Sequence, residues 1–365
     1  MKLFHCDYCS QLVYFENSEC LRCGHLLAYL PDAEKICALE PEQDDIWCPV
    51  SADGEHGVDR QYRLCRNYVK YNVCNWAVEA SDPNPLCLSC RLTSIVPDLS
   101  VRGNRAAWYK IEVAKRRLIY NLMTLRLPIT SRVDDPVNGL TFSFLADSED
   151  HPTRVLTGHE GGIIVLNLSE ADDLERERTR LSMHEPYRTL LGHFRHEIGH
   201  YYWDVLIRDS TLLYDFRELF GDERADYLDA LDRYYNRDVT LSVGDEYVSV
   251  YASSHPWEDW AECWANYLHM AGTLETADAL GLETDSVVGS EYAPTLDSGS
   301  DEFATMINRW LKLTFLLNNL NRSLGLADVY PFSLTKKIVK KLRFIHNAIV
   351  ANAIPRERMF NSTSS

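Results

Sequence analysis

Apolar residues recur at helical spacing along several stretches of the chain. Over 190–207 the positions Leu190, Leu191, Phe194, Ile198, Tyr201, Val205 and Leu206 share one face, which predicts a half-buried helix. Pro186 suits its first turn, where the N–H that proline lacks has no intrahelical partner. The stretch 104–125 reads the same way, with Trp108, Ile111, Ala114, Leu118 and Leu122 turned inward and Lys115, Arg116 and Arg117 read as a solvated surface. Further helices are predicted over 170–182, 215–235, 256–270, 304–324 and 334–353. The last carries Lys336, Lys337, Lys340 and Lys341, read as a solvated basic face. Short apolar or alternating runs at 140–145, 154–157 and 161–168 predict strands. Residues 53–57 read as a loop, 82–85 as a turn and 94–103 as a linker. Residues 356–365 read as a disordered tail.

A chain of 365 residues has room for two domains, and its 45% hydrophobic content is that of a folded globular protein. A net charge of −17 argues against a general binder of nucleic acid or anionic membrane, because phosphate contacts need a basic surface. No apolar run reaches the roughly 18 residues of a membrane helix. The opening MKLFHCDYCS lacks the apolar segment of a signal peptide, so a cytoplasmic location is expected. Ten of the eleven cysteines fall within the first 90 residues, several as close pairs. In a reducing compartment that pattern points to metal ligands.

Cys6-x2-Cys9 and Cys20-x2-Cys23 each suit a tight turn presenting two thiolates to one metal, and together they form a closed four-cysteine zinc site. Disulfides or a single iron are the competing readings. Cys87-x2-Cys90 is another such pair. Cys65 and Cys74 are the candidates to complete a second four-cysteine site, and Cys48 could replace one of them. Cys37 reads as a small buried residue. So small a module has little core, and metal binding should supply much of its folding energy.

The helix over 190–207 contains His196-Glu197-Ile198-Gly199-His200. Two histidines four apart project from one side and can reach a single Zn²⁺, while Glu197 is placed to act as general base toward a water. A hydrolytic zinc needs a third protein ligand. Glu258, near the start of the predicted helix at 256, is the leading candidate. Glu262 one turn later would then hydrogen-bond the back nitrogen of a ligand histidine. Glu262 itself, Asp259 and Glu223 are the alternatives. Asp222 and Asp226 are read mainly as solvated acids. His193 and Asp204 continue the histidine stripe, either as partners that orient the imidazoles or as ordinary polar neighbours. Tyr251 and His255 could donate to the oxyanion of a tetrahedral intermediate.

The Cys6/Cys9/Cys20/Cys23 ribbon, Cys74-Asn75-Trp76, RHEIGHYYWD at 195–204, FGDE at 220–223 and HPWEDWAE at 255–262 together resemble bacterial zinc-ribbon-containing zinc-binding metallopeptidases. The resemblance covers nearly the whole chain and implies a metallopeptidase fold, but says little about substrate. The paired helices are also similar to those of gluzincins, whose third ligand lies in an E-x-x-x-D pattern. The corresponding pair here is Glu258 and Glu262, with glutamate in place of aspartate. In zincins a strand in the position of 161–168 edges the cleft and can pair with an extended substrate, a mode of binding largely independent of side chains.

We therefore expect an α+β fold. A zincin-like metallopeptidase domain over 104–355, mostly helical with a small sheet, follows a Cys-rich zinc-ribbon region over 1–92 and a linker over 93–103. The expected cofactors are one catalytic Zn²⁺ and one or two structural ones. The expected partners are a peptide or protein substrate and a protein recruited through the ribbon, with neither nucleic acid nor membrane. The competing reading is a binding or regulatory protein whose zincin domain is structural or inactive. Glu197 favours the enzyme, because a structural metal has no use for a base beside it.

Overall fold

Paired strands and metal-type turns make up the first part of the chain, and helices the rest. The computed structural model describes residues 1–51, 60–147, 155–182, 188–236, 244–282 and 301–356. Pro186, Arg154, the loop at 53–57 and residues 357–365 lie outside them. The chain divides into two compact units. One comprises residues 2–158, 162–172 and 354 onward; the other comprises Met1, 159–161 and 173–353.

In the first unit β1 (Phe4–His5) and β2 (Leu12–Val13) form a small antiparallel pair. Five antiparallel strands follow in sequence order: β3 (Leu26–Leu30), β4 (Lys35–Gln43), β5 (Ile46–Pro49), β6 (Tyr62–Leu64) and β7 (Ala77–Glu79). The Tyr29 N–H donates to the Asn75 carbonyl at 2.9 Å, which brings the chain just before β7 back to β3. Buried Phe4, Phe15, Tyr29, Trp76 and Tyr120 pack edge to face or tilted around that closure. Helix α1 (Arg66–Tyr71) leaves from Cys65 and ends at Asn72 in a left-handed cap.

The stretch expected to be a linker begins with β8 (Thr93–Ile95). Helix α2 (Asn104–Thr124), β9 (Thr141–Leu145) and β11 (Ile163–Asn167) also belong to this unit, and β8 and β11 both pair parallel with β9. Between them in the chain lies the short β10 (Gly158–Glu160). The basic run on α2 departs from the expected solvated surface. Lys115 is fully buried against Glu112, with Nζ and Oε1 2.9 Å apart, and Arg116 is buried with Nη1 2.6 Å from the Val73 carbonyl. Only Arg117 reaches outward, to Glu16.

The second unit is helical. It contains α3 (Asp173–Ser182), α4 (Leu190–Leu206), α5 (Leu213–Phe220), α6 (Tyr227–Tyr235), α7 (Pro256–Ala279), α8 (Glu302–Ser323) and α9 (Lys336–Ala351). The single helix expected over 215–235 is two. Gly221, at φ +103°, ends α5 in a conformation open to glycine, and Asp226 starts α6 by accepting from the Asp229 N–H at 2.9 Å. Lys341, expected in solvent, is buried. Its ammonium pairs with Asp259 and donates to the Glu246 carbonyl at 2.8 Å.

Thr189 caps α4 by accepting from the Gly192 N–H at 3.0 Å, and His255 caps α7 with Pro256 in the first turn. The two helices cross at Gly199. A Cβ built there would lie 3.1 Å from the Ala261 Cα and 3.2 Å from the Trp264 side chain. Trp260 donates its indole N–H to the Gly199 carbonyl at 2.8 Å, and Tyr202 stacks on Trp264 with centroids 5.0 Å apart. Phe216, Phe220 and Phe344 meet the ring of Trp260 edge to face, which draws α5 and α9 into the same core. A branched side chain at 199 must push the helices apart. Gly199→Val is expected to cost more than about 2 kcal/mol of unfolding free energy in a urea titration, the scale of core overpacking. Unchanged stability would show that the crossing can open freely.

Candidate metal centres

Among the described residues three groups of side chains bring donor atoms together, those of each group lying within 4.8 Å of one another. The first is Cys6, Cys9, Cys20 and Cys23. Their turns are closed by backbone bonds from Ser10 to Cys6 and from Gly24 to Cys20, and Sγ–Sγ distances are 3.6 Å for Cys6–Cys23 and 3.5 Å for Cys9–Cys20. The second is Cys65, Cys74, Cys87 and Cys90, all buried, with Cys74 and Cys87 3.7 Å apart. Four sulfurs about 2.3 Å from one tetrahedral zinc sit about 3.8 Å from each other, so both sets have the spacing zinc requires. All eleven cysteines are free thiols. Cys48 stands apart, its thiol 2.8 Å from Glu42, and Cys37 is fully buried in β4, where burial pushes its thiol far up.

The third group is His196, His200 and Glu258. The Glu258 Oε2 lies 3.0 Å from His196 Nε2 and 3.5 Å from His200 Nε2. That oxygen is buried and, among the described residues, meets only the two imidazole nitrogens, so it favours a cation or a proton beside it. Burial alone would raise the Glu258 carboxyl, but the facing imidazoles hold it well below its usual range. Burial alone would lower His196, but Glu258 and Glu262 hold it well above its usual value. The pocket therefore favours positive charge between the rings and the carboxylate, which is where a metal ion would sit.

Two chains of hydrogen bonds support these donors. Glu262 accepts from His196 Nδ1 at 2.8 Å and from the Ser249 hydroxyl at 2.6 Å. Tyr227 donates its hydroxyl to Glu258 Oε1 at 2.7 Å, which reserves Oε2 for the imidazole side. Tyr251 sits beside them, its ring centroid 5.9 Å from that of His196. Burial first and the Glu258 charge second keep the Tyr251 hydroxyl protonated. Glu197 is buried, and its charge acts on both tyrosines.

The other candidates are engaged elsewhere. Asp259 pairs with Lys341, Glu223 with Arg217 at 2.9 Å, and Asp222 with Arg224. Asp226 serves as a helix cap. His255 is no oxyanion donor: its Nδ1 accepts from the Trp257 N–H and its Nε2 donates to the Ala225 carbonyl, both at 3.1 Å. Asp204 pairs with Arg208 at 2.9 Å and lies 4.0 Å from His159 Nε2. His159, which was not singled out in the sequence, stacks toward His200 with centroids 6.2 Å apart. Tyr227 and Ser249 were not picked out either. The signal for Tyr227 was its place one residue after the Asp226 cap in an otherwise acidic segment. Ser249 carries no signal in the sequence.

Residues 104–348 match the family described as "Putative zinc-binding metallo-peptidase", and residues 3–101 match a zinc-ribbon domain. The chain belongs to this zinc-binding metallopeptidase family and carries an N-terminal zinc ribbon. It is 43% identical over 350 residues to an uncharacterized protein of Mycobacterium bovis and to uncharacterized proteins of two Mycobacterium tuberculosis strains, covering 96% of this chain and 95% of each relative. No solved structure matches it. Zinc is the metal that the family and the two four-cysteine sets support. Among the described residues no helix is long and apolar enough to cross a membrane.

If Glu262 orients His196, Glu262→Gln is expected to lower zinc affinity at the helix pair by about 10–100-fold. Tyr227→Phe is expected to weaken it less, because Glu258 keeps its charge. Competition with a graded zinc chelator measures both, and equal affinity in all three proteins would sever these bonds from metal binding.

Proposed function

We propose that the protein is a zinc-dependent peptidase that hydrolyses peptide bonds at the helix pair α4–α7, with His196, His200 and Glu258 as the zinc ligands. The observation that carries this reading is the buried Glu258 Oε2 facing both ligand-type nitrogens, with Glu197 on the same helix as the histidines. Zinc held there supplies a Lewis acid that polarises the scissile carbonyl and lowers the pKa of water. Glu197, as carboxylate, takes a proton from the attacking water as its oxygen bonds to the carbonyl carbon. It then returns that proton to the nitrogen as the C–N bond breaks, giving a carboxylic acid and an amine. Tyr251, neutral and adjacent, donates a hydrogen bond to the developing oxyanion. The zinc ribbon recruits the substrate protein or a partner. Cysteines that serve as zinc ligands suit a reducing compartment, and so the cytoplasm.

Three substitutions test the assignment together. Glu197→Gln is expected to keep zinc at the helix pair while hydrolysis of a peptide library falls by at least about 100-fold, the contribution of a general base. Glu258→Gln is expected to lose zinc and activity together. His255→Asn, which keeps a cap at α7, is expected to leave turnover per folded molecule near that of the wild type. Zinc content and rate are read on the same samples. Zinc-loaded wild-type protein that cleaves nothing in a broad library would favour a ribbon-based binding protein instead.

A further inference from the structure

Arg116 lies in the cysteine-bearing unit, remote in chemistry from peptide hydrolysis, and Glu112 is the carboxylate whose charge bears on it. It is 1% exposed. Its Nη1 donates to the Val73 carbonyl at 2.6 Å, but a carbonyl dipole does not neutralise a guanidinium. A buried charge is costly unless an opposite charge stands near it. Glu112, one turn back on α2, already serves Lys115, the Trp108 indole and the Thr93 hydroxyl through Oε1. Val73 immediately precedes Cys74, one of the four buried cysteines of the second set. Burial disfavours the Arg116 charge, and Cys74, Glu112, Cys90 and Cys87, where charged, oppose that penalty. Three of those four groups are cysteines of one set.

Four thiolates around one Zn²⁺ carry a net charge of about −2, and in an enclosed site that charge also needs balance. We propose that Arg116 is the counter-cation of a zinc tetrathiolate at Cys65, Cys74, Cys87 and Cys90, so that the metal and helix α2 hold each other in place. Metal binding keeps the thiols deprotonated, so loss of zinc also removes the negative charge that Arg116 faces. The guanidinium is then a buried cation that keeps Glu112 but loses the thiolates, and α2 must loosen to hydrate it. The state of the cysteine set is thereby transmitted to a 21-residue helix that lies within the family's peptidase region.

The test uses the full chain and two variants. Arg116→Gln removes the charge but keeps a donor for the Val73 carbonyl; Arg116→Lys keeps the charge in a different shape. Zinc retention is read by alkylation of Cys65, Cys74, Cys87 and Cys90 under a graded chelator, with hydrogen exchange of α2 followed in parallel. Arg116→Gln is expected to expose these cysteines at about 10–100-fold lower chelator, with Arg116→Lys close to wild type. In the wild type, exchange of α2 is expected to rise together with alkylation of this set. Wild-type retention in Arg116→Gln overturns the proposal. Equal losses in both variants overturn it too, by assigning the effect to packing. If Arg116→Gln does not fold, the wild-type measurement decides, and an α2 that stays protected after the four cysteines are alkylated overturns the coupling.

Discussion

The crossing of α4 and α7 at Gly199 is the constraint on which the rest of the helical unit depends. With no side chain at that position the two backbones approach until Ala261 and Trp264 are in contact, and the Trp260 indole bonds the Gly199 carbonyl. That bond fixes rotation as well as distance. One residue of slip along a helix is about 1.5 Å and a rotation of about 100°, enough to turn a side chain off its face. With the register locked, His196 and His200 on one helix meet Glu258 and Glu262 on the other. The aromatic rings of α5 and α9 around Trp260 hold the lock closed.

Around this crossing the acids divide by what touches them rather than by where they fall in the chain. Glu258 is bonded by Tyr227 on one oxygen and faces the imidazoles with the other, while Glu262 is held between Ser249 and His196. Asp259, between them in sequence, points to Lys341. Three neighbouring carboxylates thus have three different partners, and geometry separates what composition could not. His196 is gripped from behind by Glu262, whereas the buried Nδ1 of His200 has no hydrogen-bond partner. The two histidines of the motif are therefore not equivalent.

Much of this was legible in the sequence because spacing and chemistry coincide there. Paired cysteines two residues apart and histidines four apart converge only in a few backbone geometries, and the donor groups that converge are those the spacing brings forward. Depth was harder to read. Lys115 follows Ile111 by four and precedes Leu118 by three, and Lys341 stands three after Ile338 and four before Ile345, so both sit within apolar stripes. Their charge suggested solvent, but buried acids on other turns or helices received them. The break at Gly221 was hidden because acidic residues continue helical spacing on both sides of it, and one positive φ outweighs that pattern. The grouping of α2 with the cysteines was not visible either, since it rests on non-local contacts such as those of Arg116 with Val73 and of Trp108 with Tyr71.

The Lys341–Asp259 pair also sets how little of the chain can stand alone. Asp259 is enclosed in the first turn of α7, next to Glu258, and the ammonium that balances it comes from α9, some eighty residues further on. A variant that keeps every helix but loses the ammonium at 341 would retain every proposed ligand and base, yet it would strand a carboxylate in an apolar interior, a defect of about 3–5 kcal/mol. The minimal unit that can shelter this site is therefore defined by a charge at its far end. Truncations, domain fusions and sequence shuffling would respect that border whatever the local integrity of the motif.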